Sequence, residues 1–270
     1  MDQCPQRSNS GLNLSSQLQT QLRERMVKFS NINTVLLDIE GTVSDVRFVY
    51  EIMFPFAKRH MKSFLESHHN LPDVRAAIEQ VSRDANPEVN KWFIDSKQNE
   101  IDIEKLDKHL QALMASDSKA TGLKALQGLV WKSGFETGQL RAELFPDVLP
   151  ALRLWASIGK SLYIYSSGSV LAQQLFFRFT TEGDLSGLLS GYFDTMVGKK
   201  QEPTSYHRIA EAIGVRPQTI LFVSDVAEEL IAAAMTGMEV VASVRPSNKP
   251  LSPSYLGEQI RNFAEISLAD

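Results

Sequence analysis

The sequence predicts an α/β protein: a doubly wound, Rossmann-like parallel sheet interrupted by an inserted all-helical unit. Three observations carry this expectation. Short apolar runs alternate with segments of helical periodicity near the start and through the second half of the chain. A long stretch between them shows helical periodicity alone. Polar groups of a consistent kind follow the apolar runs, and in such sheets ligands bind at the carboxyl ends of the strands. With 270 residues, the chain has room for one large core and an insert.

Residues 1–30 are rich in Gln, Ser, Asn and Arg and read as a polar extension, mobile or loosely docked. Within it, Leu14, Leu18, Leu22 and Met26 are spaced for a short amphipathic helix. The core is expected in two pieces, residues 31–56 and 144–270, with the helical insert at 57–143. Thr34 to Asp38 reads as a fully buried strand ending in an acid and a glycine turn. In the insert, Val74, Ala77, Ile78 and Val81 recur at helical spacing, as do Ile103, Leu106 and Leu110, and no convincing strand is visible. Alternation resumes with a helix opened by Pro146-Asp147-Val148, carrying Leu149, Leu152 and Trp155 and stopped by Gly159. Then come a strand at Ser161 to Tyr165, a helix at Ser169 to Phe179, and a strand at Phe193 to Val197. A helix from Pro203 to Ile213, stopped by Gly214, leads to a strand at Thr219 to Val223. A helix at Ala227 to Met235 and a strand at Glu239 to Val244 follow. A loop with Pro246, Pro250 and Pro253 precedes a final helix expected near Leu256 to Phe263.

Composition narrows the function classes. The chain holds 28 Lys and Arg against 32 Asp and Glu, a net charge of −4, so nothing draws it to nucleic acid. No apolar stretch is long enough to span a bilayer, and no secretory signal opens the chain. Cys4, the single cysteine, cannot form an internal disulfide, which fits a reducing, cytoplasmic setting. These features fit an enzyme of the cytoplasm.

The expected strand ends carry acid, hydroxyl, lysine and acid in turn. The first ends in Asp38-Ile39-Glu40-Gly41-Thr42, the second in Ser166-Ser167-Gly168-Ser169. Gly198-Lys199-Lys200 follows the third, and Ser224-Asp225-Val226 ends the fourth. Carboxylates on two strand ends can share a hard cation such as Mg²⁺. A hydroxyl on a glycine turn at a helix N-terminus can hold a phosphate, and a lysine can stabilise a phosphoryl group in transfer. One aspartate is then free to act as a nucleophile. Taken singly, each residue has a plainer reading: acids cap helices, Ser-Gly makes a turn, and paired lysines are solvated. Their order on successive strand ends of one sheet favours a phosphoryl-transfer site. The five histidines show no metal-ligand spacing, and Phe176, Phe177 and Phe179 read as packing residues.

These four segments resemble the motifs of the haloacid-dehalogenase-like (HAD-type) superfamily. Glu40 stands where most phosphatases of that superfamily have Asp, and with it the chain is similar to the acireductone synthases, the bifunctional enolase-phosphatases of methionine salvage. Phe48-Val49, Phe54-Pro55-Phe56-Ala57, Leu126-Gln127-Gly128 with Trp131, Tyr163 to Val170, Phe193-Asp194-Thr195, Ile220 to Val226 and Val244-Arg245-Pro246 extend the likeness. It runs from about residue 34 to the C-terminus. The resemblance implies a HAD-type core with the insert as a helical cap, one Mg²⁺ per chain, and a monomer acting on a small phosphorylated diketone, 2,3-diketo-5-methylthiopentyl-1-phosphate. Enolisation would precede phosphate removal. It also implies residue roles: Asp38 as nucleophile and metal ligand, Glu40 as acid/base and metal-site residue through its carbonyl, and Asp225 as the remaining metal ligand. Ser166 and Ser167 would hold phosphate or substrate oxygens, and Lys200 would be the motif lysine, with Lys199 beside it as the other candidate. The stretch Asp117 to Lys124 resembles a cap segment, which leaves two readings of its lysines: one reaches over the site, or both are solvated helix residues. A phosphatase for another small ester, or a non-catalytic metabolite-binding protein of the same fold, remains the alternative.

Overall fold

The computed structural model describes residues 26–85, 93–95, 100–253 and 255–269. Its centre is a sheet of six parallel strands. In chain order the strands of the molecule are β1 (Val27–Ser30), β2 (Thr34–Leu37), β3 (Phe93–Asp95), β4 (Glu100–Ile101), β5 (Ser161–Tyr165), β6 (Gly191–Phe193), β7 (Ile220–Ser224), β8 (Glu239–Ser243), β9 (Gln259–Ile260) and β10 (Ile266–Ala269). The six-stranded order is β6-β5-β2-β7-β8-β9, with β2 in the middle. All of its pairings are parallel.

Alternation along each central strand divides the core into two layers. Val35, Leu37, Leu221 and Val223 pack in one layer, while Leu36, Ile220 and Phe222 pack in the other. Helices α5 (Val148–Ser157) and α6 (Val170–Arg178) contribute to the first layer. Helices α7 (Pro203–Ile213) and α8 (Ala227–Ala234) contribute to the second. Strands covered on both faces can be apolar at every position, and Thr34–Leu37 is buried throughout. The doubly wound sheet expected from the sequence is therefore present.

The insert is built from α1 (Phe54–His68), α2 (Pro72–Asp84), α3 (Ile103–Ala115) and α4 (Thr121–Glu136). Helices α2 and α4 touch at Gly122, where an added Cβ would lie 2.3 Å from the Val81 nitrogen. Asp84 Oδ2 accepts the Gly122 N–H across the same contact, at 2.7 Å. The insert is not wholly helical, contrary to expectation: β3 and β4 form a short antiparallel pair within it. A helical turn of wider pitch, Phe48–Met53, leads into α1.

Three further expectations shift. The third core strand ends at Phe193 rather than Val197, because the Asp194 carboxylate accepts from the Met196 and Val170 N–H groups and turns the chain. The final helix is absent. Leu256, Ile260 and Phe263 mimic helical spacing, but Leu256 is 94% exposed, while Ile260 lies in edge strand β9 and Phe263 opens a single 3₁₀ turn. Residues 27–30, assigned to the polar extension, form β1 and pair in parallel with β10. Met26 precedes that strand, and Leu14, Leu18, Leu22 and Cys4 lie outside the described residues. No helix among the described residues is long and apolar enough to cross a membrane.

Candidate active site

Register decides what meets at the carboxyl edge. Leu37 lies opposite Ile164 on one side and Val223 on the other. The next residues therefore emerge together: Asp38 from β2, Tyr165 and Ser166 from β5, Ser224 and Asp225 from β7. Asp38 is buried, and its N–H still bonds Val223 O at 3.0 Å.

After Asp38 the chain turns tightly. Val43 and Ser44 N–H both bond Ile39 O, and Gly41 takes φ +73°. A Cβ on Gly41 would lie 2.3 Å from Asp225 Oδ2 and 2.8 Å from Asn248 Oδ1, so this position needs glycine for both dihedral and space. The turn is clamped from outside. Arg245 donates to both Asp147 oxygens at 2.9 Å and to Thr42 O at 3.1 Å, with its guanidinium 4.4 Å from the Phe145 ring centroid. Asp147, expected only to open a helix, makes no side-chain cap there and is held by Arg245 and the Phe263 N–H. The chain returning from the insert is strapped to the same turn, Ser44 Oγ donating to Glu143 O and Phe145 N–H to Val43 O.

The serine turn faces this loop. Ser166 Oγ donates to Glu40 Oε2 at 3.2 Å and accepts the Gly168 N–H at 3.1 Å. Ser169 Oγ caps α6 by accepting the Ala172 N–H. Gln173 Nε2 donates to Gly168 O and Phe193 O, both at 2.8 Å, and so fixes the turn against the end of β6. Ser167 is exposed and lines the mouth of the site.

The two lysines separate cleanly. Lys199 lies at the rim of the cleft, its side chain 77% exposed and 3.5 Å from Glu202. Lys200 is buried, with Nζ 2.5 Å from Asp38 Oδ1 and 2.7 Å from Glu229 Oε2. Its carbonyl accepts from Tyr206 Oη at 2.7 Å, and its ammonium stands 5.6 Å from the Tyr165 ring centroid. The sequence reading missed Glu229. It is an acid in the first turn of α8, a common solvated position, yet it is buried and accepts a hydrogen bond from Ser224 Oγ at 2.9 Å. The signal available was its place four residues after Asp225, at the end of the same strand.

Asp38, Glu40, Asp225 and Glu229 thus surround one buried ammonium, an excess of negative charge. Burial, and then the Asp38 charge, push the Glu40 carboxyl up to about 7. Burial, Asp38 and Glu229 push Asp225 up to about 7 as well. Burial opposes the charge on Lys200, but Asp38 and Glu229 together hold it above the ordinary lysine value. Such a site suits a further cation. Among the described residues no three His, Cys, Asp or Glu side chains cluster as a ligand set. The donors on hand are two carboxylates, Asp38 and Asp225, close enough for the charge of the first to act on the second, together with main-chain oxygen. This sparse, all-oxygen set fits Mg²⁺, which keeps several of its waters.

The group opens into a cleft of about 1610 Å³ between the sheet edge and the insert. Met53, Phe54, Lys124, Gln127 and Trp131 line the insert side. Lys119 also faces the cleft but is paired with Asp117 at 2.6 Å. Phe176 and Phe177 are both core, as expected, and Phe176 also reaches the cleft wall. Arg178 is exposed and lies over the Phe179 ring, away from the cleft lining. The arrangement thus sets a buried carboxylate against an ammonium, Asp38 with Lys200, and a second carboxyl, Glu40, against the serine turn.

Comparison with known proteins agrees with this geometry. A family model for haloacid dehalogenase-like hydrolases matches residues 32–237. The chain is 45% identical over 235 residues to enolase-phosphatase E1 of Xylella fastidiosa (strain M23), covering 87% of this chain and 96% of that protein. It is 47% identical over 212 residues to the protein of the same name from Sorangium cellulosum, covering 78% and 88%. Among solved structures, the UTR4 protein of Saccharomyces cerevisiae superposes with a TM-score of 0.71 at 33% identity, covering 86% of this chain and 98% of that one.

Proposed function

The chain belongs to the enolase-phosphatase E1 family of haloacid dehalogenase-like hydrolases, and on that footing we propose that it acts on 2,3-diketo-5-methylthiopentyl-1-phosphate. The products are the acireductone 1,2-dihydroxy-5-methylthiopent-1-en-3-one and phosphate, in methionine salvage. The observation that carries the reading is the pairing of two carboxylates at one strand end with different partners: Asp38 with Lys200, Glu40 with Ser166. One carboxylate is placed to attack phosphorus, the other to move protons.

In this reading Glu40 handles proton transfer as the diketone becomes an enol: C1 loses a proton and the C2 oxygen gains one. Asp38 then attacks phosphorus, the ester P–O bond breaks, and the enediol oxygen leaves with a proton. Water hydrolyses the resulting aspartyl-phosphate and regenerates Asp38. Lys200 keeps Asp38 charged and oriented, and it offsets charge on the phosphoryl oxygens. Ser166 and Ser167 receive the phosphate or neighbouring oxygens, with Ser166 also orienting Glu40. Glu229 holds Lys200 from behind. Mg²⁺, one per chain, would be held by Asp38, Asp225 and the Glu40 carbonyl, and would supply charge neutralisation at the phosphate and the developing enolate. Residues 57–143 act as a cap over the cleft, which they line together with the sheet edge, and the resemblance to the enolase-phosphatases is what supports a cytoplasmic monomer.

The test is phosphate release from the diketone phosphate with Mg²⁺ or EDTA, recording enol absorbance in the ultraviolet alongside. Mg²⁺-dependent release with an enol signal supports both half-reactions in one chain. Release from simple esters but none from the diketone would keep the hydrolase and overturn the substrate.

A further inference from the structure

One polar group in the cleft wall is unaccounted for by this chemistry. Gln127 on α4 is 6% exposed and lines the cleft, yet its amide makes no hydrogen bond with any described residue. Its surroundings behave differently. Trp131 Nε1, one turn later, donates to Met53 O at 2.8 Å, and Gln173 on the opposite wall uses both amide hydrogens. An amide that lines a cleft and has no protein partner is open to pair with a ligand group that enters there.

Its position is defined by its neighbour. A Cβ on Gly128 would lie 3.6 Å from Leu171 Cδ2, and Leu171 lies two residues after Ser169. Helix α4 therefore lies across the first turn of α6, which starts at the serine turn. Gln127 precedes Gly128 on this helix and lines the same cleft as Ser166, Ser167 and Ser169. Opposite, Gln173 Oε1 is buried without a partner, and Gln173 lines the same cleft.

Resting on the enolase-phosphatase reading, we propose that Gln127 contacts substrate, donating through Nε2 to a carbonyl oxygen of the vicinal diketone. A primary amide suits such a contact, because it donates to the ketone and its oxygen accepts from the hydroxyl of the enol, without itself exchanging a proton. Gln127 thereby selects 1-phosphates that carry adjacent carbonyls and serves the enolisation half of the reaction. Phosphate removal from an ester lacking carbonyls does not need it.

The experiment compares wild type and Gln127→Met on two substrates, the diketone phosphate and p-nitrophenyl phosphate, with Mg²⁺. The expected result is a fall of about 10- to 100-fold in kcat/KM on the diketone, with p-nitrophenyl phosphate hydrolysis held within about twofold. If Gln127→Met does not fold, Gln127→Glu keeps the shape and removes the donor, and the same selective loss is expected. An equal loss on both substrates, or an unimpaired variant beside a wild type that turns over the diketone, overturns this inference alone. A wild type inert on the diketone but active on p-nitrophenyl phosphate overturns the substrate reading and this inference with it.

Discussion

The two walls of the cleft are built on opposite plans. On the sheet side, the polar groups engage one another: Lys200 with Asp38 and Glu229, Glu40 with Ser166, Gln173 with two carbonyls. On the insert side, the Lys124 and Gln127 side chains line the cleft without a hydrogen-bond or ion-pair partner among the described residues. The first wall is preorganised, so its geometry does not wait for substrate. The second is left incomplete, so its hydrogen bonds are made only with a ligand present. On the proposed function, chemistry common to many phosphate esters belongs to the rigid wall and discrimination among them to the open one.

Changes at the centre of the rigid wall should have the largest effects. Asp38→Asn should lower phosphate release about a thousandfold or more while the circular dichroism and Tm stay near wild type. Activity above about one hundredth of wild type would remove the covalent step. Removing Mg²⁺ with EDTA should abolish turnover in the same assay, and re-addition should restore it, because the Asp38 and Glu229 charges act on Asp225 and Lys200 alone does not balance them. Lys200→Met should reduce both activity and stability, since it leaves Asp38 and Glu229 buried without their shared cation. Urea unfolding is expected to show a loss of about 3–5 kcal/mol. A stability change below about 1 kcal/mol would mean that the sheet-side wall is not preorganised by this pair.

At the smaller end, Lys124→Met tests the open wall. It should raise KM for the phosphorylated substrate by roughly 3- to 10-fold, with unfolding free energy within about 0.5 kcal/mol of wild type. A large loss of stability would show that Lys124 supports the fold and not the ligand. Lys199→Met is the stability control on the sheet side, and its exposed pair with Glu202 predicts a change of less than about 0.5 kcal/mol in urea unfolding.

Legibility in the sequence followed the same division. Asp38, Glu40, Ser166 and Asp225 were readable because each directly follows a buried apolar run, and the chemistry of parallel sheets points to that place. The choice between Lys199 and Lys200 was not readable: neighbouring residues in a loop differ only in which way the fold turns them. Glu229 and the Arg245–Asp147 clamp were missed because their partners are distant in sequence or lie on another element. Leu256, Ile260 and Phe263 misled because an edge strand and a 3₁₀ turn can sample helical spacing by accident. Gln127 carried a usable signal, a polar side chain in a stripe with Leu123, Leu126 and Val130 that is otherwise buried and apolar.

The pairing of Val27–Ser30 with Ile266–Ala269 has a kinetic consequence. These two short strands come from opposite ends of the described chain, so closing the loop between them costs far more entropy than a ladder of this size returns. The ladder can form only once the six-stranded sheet has brought its ends together. Refolding followed by pulsed hydrogen exchange should therefore protect the amides of Thr34–Leu37 well before those of Val27–Ser30, which makes the β1–β10 ladder a reporter for the completion of folding.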